Sequence, residues 1–211
     1  MRTGVDASTI GEAWLGVARR ILADGMASTY DGRATRELLL VTLRVASPDP
    51  SDALIERWTP PERRAWMRAN FSSRARVAEL GDADSYATRL FDYAGTGLDQ
   101  VRGVIERLVA DPASRRAAIT TFQPLTDTAY VPCVSLLDFF IDGGALNLVA
   151  YCHSIDFGTK GFANLEELAD LQRRVAEGVG SPVGELTMLV KSAHLYDVDL
   201  EAMRVVLDGR A

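Results

Sequence analysis

The chain has 211 residues, 47% of them hydrophobic and 25% charged, with a formal net charge of −6. A chain of that length buries roughly 70% of the surface it exposes when unfolded, which excludes fibrous and disordered classes and predicts one folded domain over residues 1–211. The acidic balance argues against a nucleic-acid-binding surface built to neutralise phosphates, no run approaches the roughly 20 uncharged apolar residues of a membrane helix, and the opening MRTGVDASTIGEAW lacks an apolar signal core. A cytoplasmic protein is expected, with no nucleic-acid or membrane partner and with Cys133 and Cys152 as free thiols.

Thr9 and Glu12 have capping-box spacing, and Ile10, Trp14, Val17 and Ile21 follow at helical intervals, predicting an amphipathic helix over 9–23. Past the turn-prone Tyr30-Asp31-Gly32-Arg33, the apolar and partly β-branched run from Glu37 to Val45 predicts a buried strand that stops before Asp49-Pro50. The segment Pro60 to Arg76 gathers Arg63, Arg64, Arg68, Arg74 and Arg76 around Trp66 and Phe71, a basic amphipathic helix whose charged face either stays solvated or meets an anion. Leu98, Val101, Ile105 and Leu108 predict another helix, closed by Asp111-Pro112.

The texture then changes. Three β-rich runs, AAITTFQP, CVSLLDFFI and ALNLVAYC, lie between Arg116 and Cys152, the last two joined by the hairpin-like Asp142-Gly143-Gly144. Their nearly continuous hydrophobicity implies that both faces are covered, one by helices and the other by a second sheet or subunit. Leu165, Leu168, Gln172 and Val175 predict a helix ending at Gly178, and Gly184 to Val190 a final strand. This order predicts an α+β fold in a single domain.

The residues with chemical potential lie at the ends of these runs. Cys133 follows Pro132 at a strand start, where a thiol is either inert and buried or rigidly presented. His153, Ser154 and Asp156 sit where the next strand runs out, and Asn164 opens a helix, where an ordinary N-cap is the plainer reading. His194 and Tyr196, placed just past the last strand, point to one side if that segment is extended. Arg115 and Arg116 precede a strand and are either solvated or anion-binding.

In residue type, order and spacing, Asp111-Pro-Ala-Ser-Arg-Arg116, Pro132-Cys133, Tyr151-x-x-Ser154-x-Asp156, Asn164 and His194-x-Tyr196 resemble the thymidylate synthase family. The opening DGMASTYDGRATREL and the closing SAHLYDVDLE look like the short, archaeal-type members. The resemblance implies a mixed sheet covered by helices and a homodimer formed sheet to sheet. It also implies transfer of a one-carbon unit from methylenetetrahydrofolate to C5 of a pyrimidine nucleotide, without a metal.

By the same resemblance, Cys133 is the nucleophile that adds to C6, and Asn164 pairs with the O4/N3 edge of uracil. His194 and Tyr196 hold a sugar hydroxyl. Arg33 and Ser154 contact phosphate, Asp156 is a folate-side carboxylate, and Arg115 and Arg116 reach the phosphate of the other subunit. Glu62 is the candidate for the family's catalytic glutamate, and Trp58 and Trp66 are candidates for its folate-contacting tryptophan.

There are departures from the pattern. His153 replaces an arginine that contacts both thiolate and phosphate, so a fixed charge becomes one that titrates near neutrality and serves only if protonated. Val134 stands where long forms carry histidine. The fifteen residues after Tyr196 hold no counterpart of the long forms' C-terminal lid. The product is therefore open between 5-methyl and 5-hydroxymethyl, the latter arising if water reaches the site. Two competing readings are a nucleotide-binding homologue that has altered or lost catalysis, and a cysteine hydrolase that pairs Cys133 with His153 or His194 and Asp156.

Overall fold

A computed structural model describes residues 4–128 and 130–209. The outermost residues of the expected 1–211 domain lie outside the described residues. The elements in chain order are β1 (Gly4–Ala7), α1 (Ile10–Asp24), β2 (Met26–Tyr30), β3 (Arg33–Val45), α2 (Ala53–Trp58), α3 (Pro61–Ser72), β4 (Arg76–Val77), β5 (Ala83–Asp84), α4 (Tyr86–Phe91), α5 (Gln100–Ala110), β6 (Ala118–Thr120), β7 (Val134–Asp142), β8 (Ala145–Cys152), β9 (Ile155–Asp156), α6 (Gly161–Val179), β10 (Val183–Tyr196) and α7 (Leu200–Asp208). They form the expected α+β arrangement, a mixed sheet with helices against one face.

Strand order in the main sheet is β1-β3-β10-β8-β7-β6, with β2 added to β3 and β9 to β10. β10 runs parallel to β8 and antiparallel to β3, which makes the sheet mixed at its centre. The β7–β8 hairpin turns through Gly143 and Gly144, whose φ values of 57° and 80° are those of a tight turn matching strand twist.

The sequence logic of α1 holds in detail. Thr9 accepts from the Glu12 amide and the Glu12 carboxylate returns to Thr9, while Ile10, Trp14, Val17 and Ile21 are fully or almost fully buried. Each such aliphatic side chain contributes about 1.5–3 kcal/mol of burial. Trp14 meets Phe162 of α6 edge-on at 5.4 Å, and its indole N–H donates to Phe157 O at 2.8 Å. The buried aromatic thus ties α1 to the turn between β9 and α6, with its polar atom satisfied.

Several boundaries differ from expectation. α6 continues through Gly178 and stops at Gly180, where φ is 76°. Gly178 has a packing role instead, because a Cβ there would lie 2.7 Å from Ile105 Cδ1 of α5. β10 extends to Tyr196, so His194 and Tyr196 lie within the strand rather than beyond it. Asn164 is inside the first turn of α6 rather than at its cap, which falls at Lys160. α3 ends at Ser72, leaving Arg74 and Arg76 outside it.

Burial along the sheet explains the near-continuous hydrophobicity of β7 and β8. Val134, Leu137, Phe139, Leu146, Leu148 and Ala150 face the helices, whereas Leu136, Phe140 and Val149 are 38–44% exposed on the far side. The strands also kink together. Leu40 of β3 takes a φ of 56°, pairing between β7 and β8 shifts register between Val134 and Leu136, and in β10 the buried side passes from Val190 to Ala193. Beyond the kink, His194 and Tyr196 share a face that the straight part of β10 would have turned the other way.

Candidate active site

Cys133 enters the site at the start of β7, half-buried, where two neighbours fix its backbone. Its carbonyl accepts from the His153 amide at 3.0 Å, and the amide of Val134 donates to the Tyr86 hydroxyl at 2.9 Å. Tyr86 stacks on Phe71 with ring centroids 4.4 Å apart. Complete burial raises the Tyr86 hydroxyl well above its ordinary range, helped by Tyr130 and Cys133 nearby. Burial likewise raises the Cys133 thiol; Lys160 pulls it down and Asp156 pushes it up.

The loop before Cys133 is held by a buried ion pair. The Arg89 guanidinium donates to both oxygens of Asp127 at 2.7 and 2.8 Å and to Thr121 O at 2.7 Å. Both side chains are nearly sealed from water, at 1% and 6% exposure.

Asp156, on β9, is the cross-strand neighbour of His194 on β10. Its carboxylate closes the following turn by accepting from the amides of Gly158 and Thr159 and from the Thr159 hydroxyl. Burial depresses the His194 pKa, with Asp156 opposing. The His194 ring meets Tyr196 edge-on at 5.2 Å, and the Arg33 guanidinium lies 3.6 Å over the Tyr196 ring. The structure therefore brings Arg33, Asp156, His194 and Tyr196 together at one end of the sheet.

Asn164 is 3% exposed, and its Nδ2 donates to Lys160 O at 3.1 Å. A carbonyl only accepts, so it fixes which end of the amide is nitrogen. One N–H and the Oδ1 remain for a ligand. Alongside, a cavity of about 340 Å³ is lined by Glu62, Arg63 and Trp66 of α3 and by Thr159 and Lys160. Trp58 instead packs against the core beneath the Arg57 guanidinium, leaving Trp66 as the cavity tryptophan.

The remaining candidates stand apart. His153 Nδ1 is 3.0 Å from Ser135 Oγ, and burial together with Lys191 pushes the imidazole pKa down, favouring the neutral ring. That opposes the protonated role the sequence left open for it. Ser154 is half-buried at the β8–β9 junction. Arg115 and Arg116 are exposed between α5 and β6 and, among the described residues, form no ion pair or side-chain hydrogen bond. Neither imidazole is hydrogen-bonded to Cys133 Sγ among the described residues, so the hydrolase reading lacks its thiol–base contact. Sequence reasoning missed Tyr86, which only the fold brings to the Val134 amide beside Cys133, and Lys160, whose carbonyl orients Asn164.

The profile of the family described as thymidylate synthase matches residues 49–210. A protein of Methanosarcina barkeri, provisionally named a thymidylate synthase, is 33% identical over 97% of this chain and 94% of its own length. One from Methanothermobacter marburgensis, named in the same way, is 33% identical over 97% and 98%. The bifunctional dihydrofolate reductase-thymidylate synthase of Paramecium tetraurelia is 31% identical over 54% of this chain and 25% of its own length. Matched to the family profile over residues 49–210 and aligned with these relatives over nearly its whole length, the chain belongs to the thymidylate synthase family.

Proposed function

We propose that this protein transfers a one-carbon unit from methylenetetrahydrofolate to C5 of a uracil-type nucleotide through a Cys133–C6 bond, giving a 5-methyl or 5-hydroxymethyl product. The observation that carries the reading is that Cys133 begins β7 against His153 at the end of β8, while Arg33, Tyr196 and His194 pack together beside Asp156 of β9 and Asn164 is oriented by Lys160 in the turn that follows. The thiolate attacks C6, and the electron pair of the C5–C6 double bond moves towards C5 and O4. An N–H from Asn164 suits O4, while its Oδ1 accepts from N3–H.

Cytosine needs the amide reversed, which would set Oδ1 against the Lys160 carbonyl 3.1 Å away. That repulsion supports uracil over cytosine. His194 and Tyr196 hold a sugar hydroxyl, with Asp156 behind them, and Arg33 and Ser154 meet phosphate.

The cavity between α3 and α6 has a flat aromatic wall in Trp66, apolar surface in Met67 and Leu80, and the cations Arg63 and Lys160. This set fits a planar folate with an anionic tail, and bound folate supplies the one-carbon unit. Glu62 lines the same space, which supports it as the group that orders water and protons at the base. The apolar far face of the sheet and the unpaired Arg115 and Arg116 support a sheet-to-sheet homodimer in which each subunit lends arginines to the other's phosphate.

Tritium release from C5-labelled UMP, dUMP, CMP and dCMP with methylenetetrahydrofolate tests the reading, with dihydrofolate followed by absorbance. Release with dihydrofolate identifies methylation and release without it hydroxymethylation; the best label names base and sugar. Folded protein that binds nucleotide but releases no tritium refutes turnover and leaves a nucleotide-binding homologue.

A further inference from the structure

Beyond the kink shared by β3 and β10, the two strands pair antiparallel with Glu37 opposite His194 and Thr35 opposite Tyr196. Alternation along each strand then sets Arg33, Thr35 and Glu37 on the face that carries Ser192, His194 and Tyr196. Two contacts fix this sharing of a face. The Arg33 guanidinium lies 3.6 Å over the Tyr196 ring, and the Ser192 hydroxyl donates to Glu37 Oε1. His194 therefore stands in a row between two carboxylate residues, Asp156 of β9 on one side and Glu37 of β3 on the other.

The two carboxylates differ in what they have left to bind. Asp156 Oδ1 accepts from the Gly158 and Thr159 amides and Oδ2 from the Thr159 hydroxyl, so both of its oxygens close the turn. Glu37 commits one oxygen to Ser192. Among the described residues its Oε2 has no hydrogen bond and the side chain no ion pair, although Glu37 is half-buried. Cross-strand neighbours hold their Cβ atoms about 4.5–5.5 Å apart, close enough for an imidazole and a carboxylate to meet adjacent hydroxyls of one sugar ring. A carboxylate accepts and does not donate, so what Glu37 can add beside His194 is a place for a second hydroxyl.

We propose that Glu37 is a specificity-determining residue that accepts a hydrogen bond from a second sugar hydroxyl beside the one held by His194, so that the substrate is a ribonucleotide rather than a 2′-deoxyribonucleotide. The inference rests on the nucleotide reading, with His194 and Tyr196 at the sugar. A ribose fills the open lone pairs of the carboxylate, whereas a 2′-deoxyribose leaves them facing carbon once the bound ring has displaced water.

Calorimetric titration of UMP and dUMP into the full-length protein, with CMP and dCMP as the second pair, reads the preference without any turnover. Wild type should bind the ribonucleotide about tenfold or more tighter than its deoxy counterpart. Glu37→Ala should bring that ratio to about one, chiefly by weakening the ribonucleotide. A Glu37 that only steadies Ser192 would instead weaken both members of the pair alike and leave the ratio as it is. Glu37→Gln keeps the shape and gives up the charge; it serves if the alanine variant does not fold, and should lower the ratio severalfold.

A deoxyribonucleotide bound as tightly as its ribonucleotide by wild type, or a ratio unchanged in a folded Glu37 variant, overturns the proposal. Folded wild type that binds neither sugar overturns the nucleotide reading and the role of Glu37 with it. A ribonucleotide preference that stands while no tritium is released removes turnover alone and leaves the sugar assignment in place.

Discussion

Replacing Arg89 by methionine tests how the loop before Cys133 is held in place. The guanidinium is 1% exposed and serves Asp127 twice, Thr121 O, and Asp84 O at 2.9 Å. Methionine fills much the same volume but leaves the Asp127 carboxylate, 6% exposed, with the Gln123 amide as its remaining partner. Stranding one partner of a buried pair costs about 3–5 kcal/mol. At a urea m-value of about 2–3 kcal/mol/M, the unfolding midpoint should fall by roughly 1–2 M.

The second variant, Arg89→Met with Asp127→Leu, removes the stranded charge and should recover most of the loss. Thr121 also binds Ser135 O through its amide at 3.1 Å, so slackening this loop should lower turnover under conditions where the single variant is still folded. A single-variant loss under about 1 kcal/mol, or a double variant no more stable than the single, would refute the clamp.

Asn164→Asp should cost uracil nucleotides about 10–100-fold in kcat/KM, because the carboxylate lacks a donor for O4 and faces the Lys160 carbonyl. Competitive tritium release checks this, and an unchanged base preference removes Asn164 from recognition. Burial raises the Glu167 carboxyl to about 7, with Arg68 opposing. The folded protein therefore holds a proton there that the unfolded chain gives up near 4.5, so stability is fully present below that pH and is lost as pH rises towards 7. Glu167→Gln should flatten this decline in urea titrations from pH 5 to 8, and parallel curves would count against it. His153→Arg should tighten nucleotide monophosphate binding and flatten its dependence between pH 6 and 8, and calorimetric affinity that falls or stays level refutes a phosphate-facing role.

What could be read ahead of the structure follows from how local each signal is. Helix α1 was legible because cap and stripe lie within fifteen residues, and the β7–β8 hairpin because two glycines announce the turn. The ends of α6 and β10 were not. Gly178 looks like a stop signal until Ile105, from another helix, is seen against it, and nothing near Val190 reveals that a kink shared by several strands carries β10 on to Tyr196. The same divide runs through the site. Cys133, Asn164 and the His194/Tyr196 pair stand in recognisable spacing. Tyr86 meets the Val134 amide beside Cys133, and Lys160 meets Asn164, only once the fold has formed.

The turn between β9 and α6 assigns its orienting task to backbone, because the carbonyl of Lys160 accepts from Nδ2 of Asn164 and fixes the direction of that amide. On the proposed reading the carbonyl thereby sets which base edge is read. Side-chain substitution leaves the carbonyl in place, so Lys160→Met should leave the ratio of uracil to cytosine turnover in competitive tritium release as in wild type. If that preference collapses in a folded Lys160→Met protein, the side chain holds the turn and the carbonyl alone does not fix the amide.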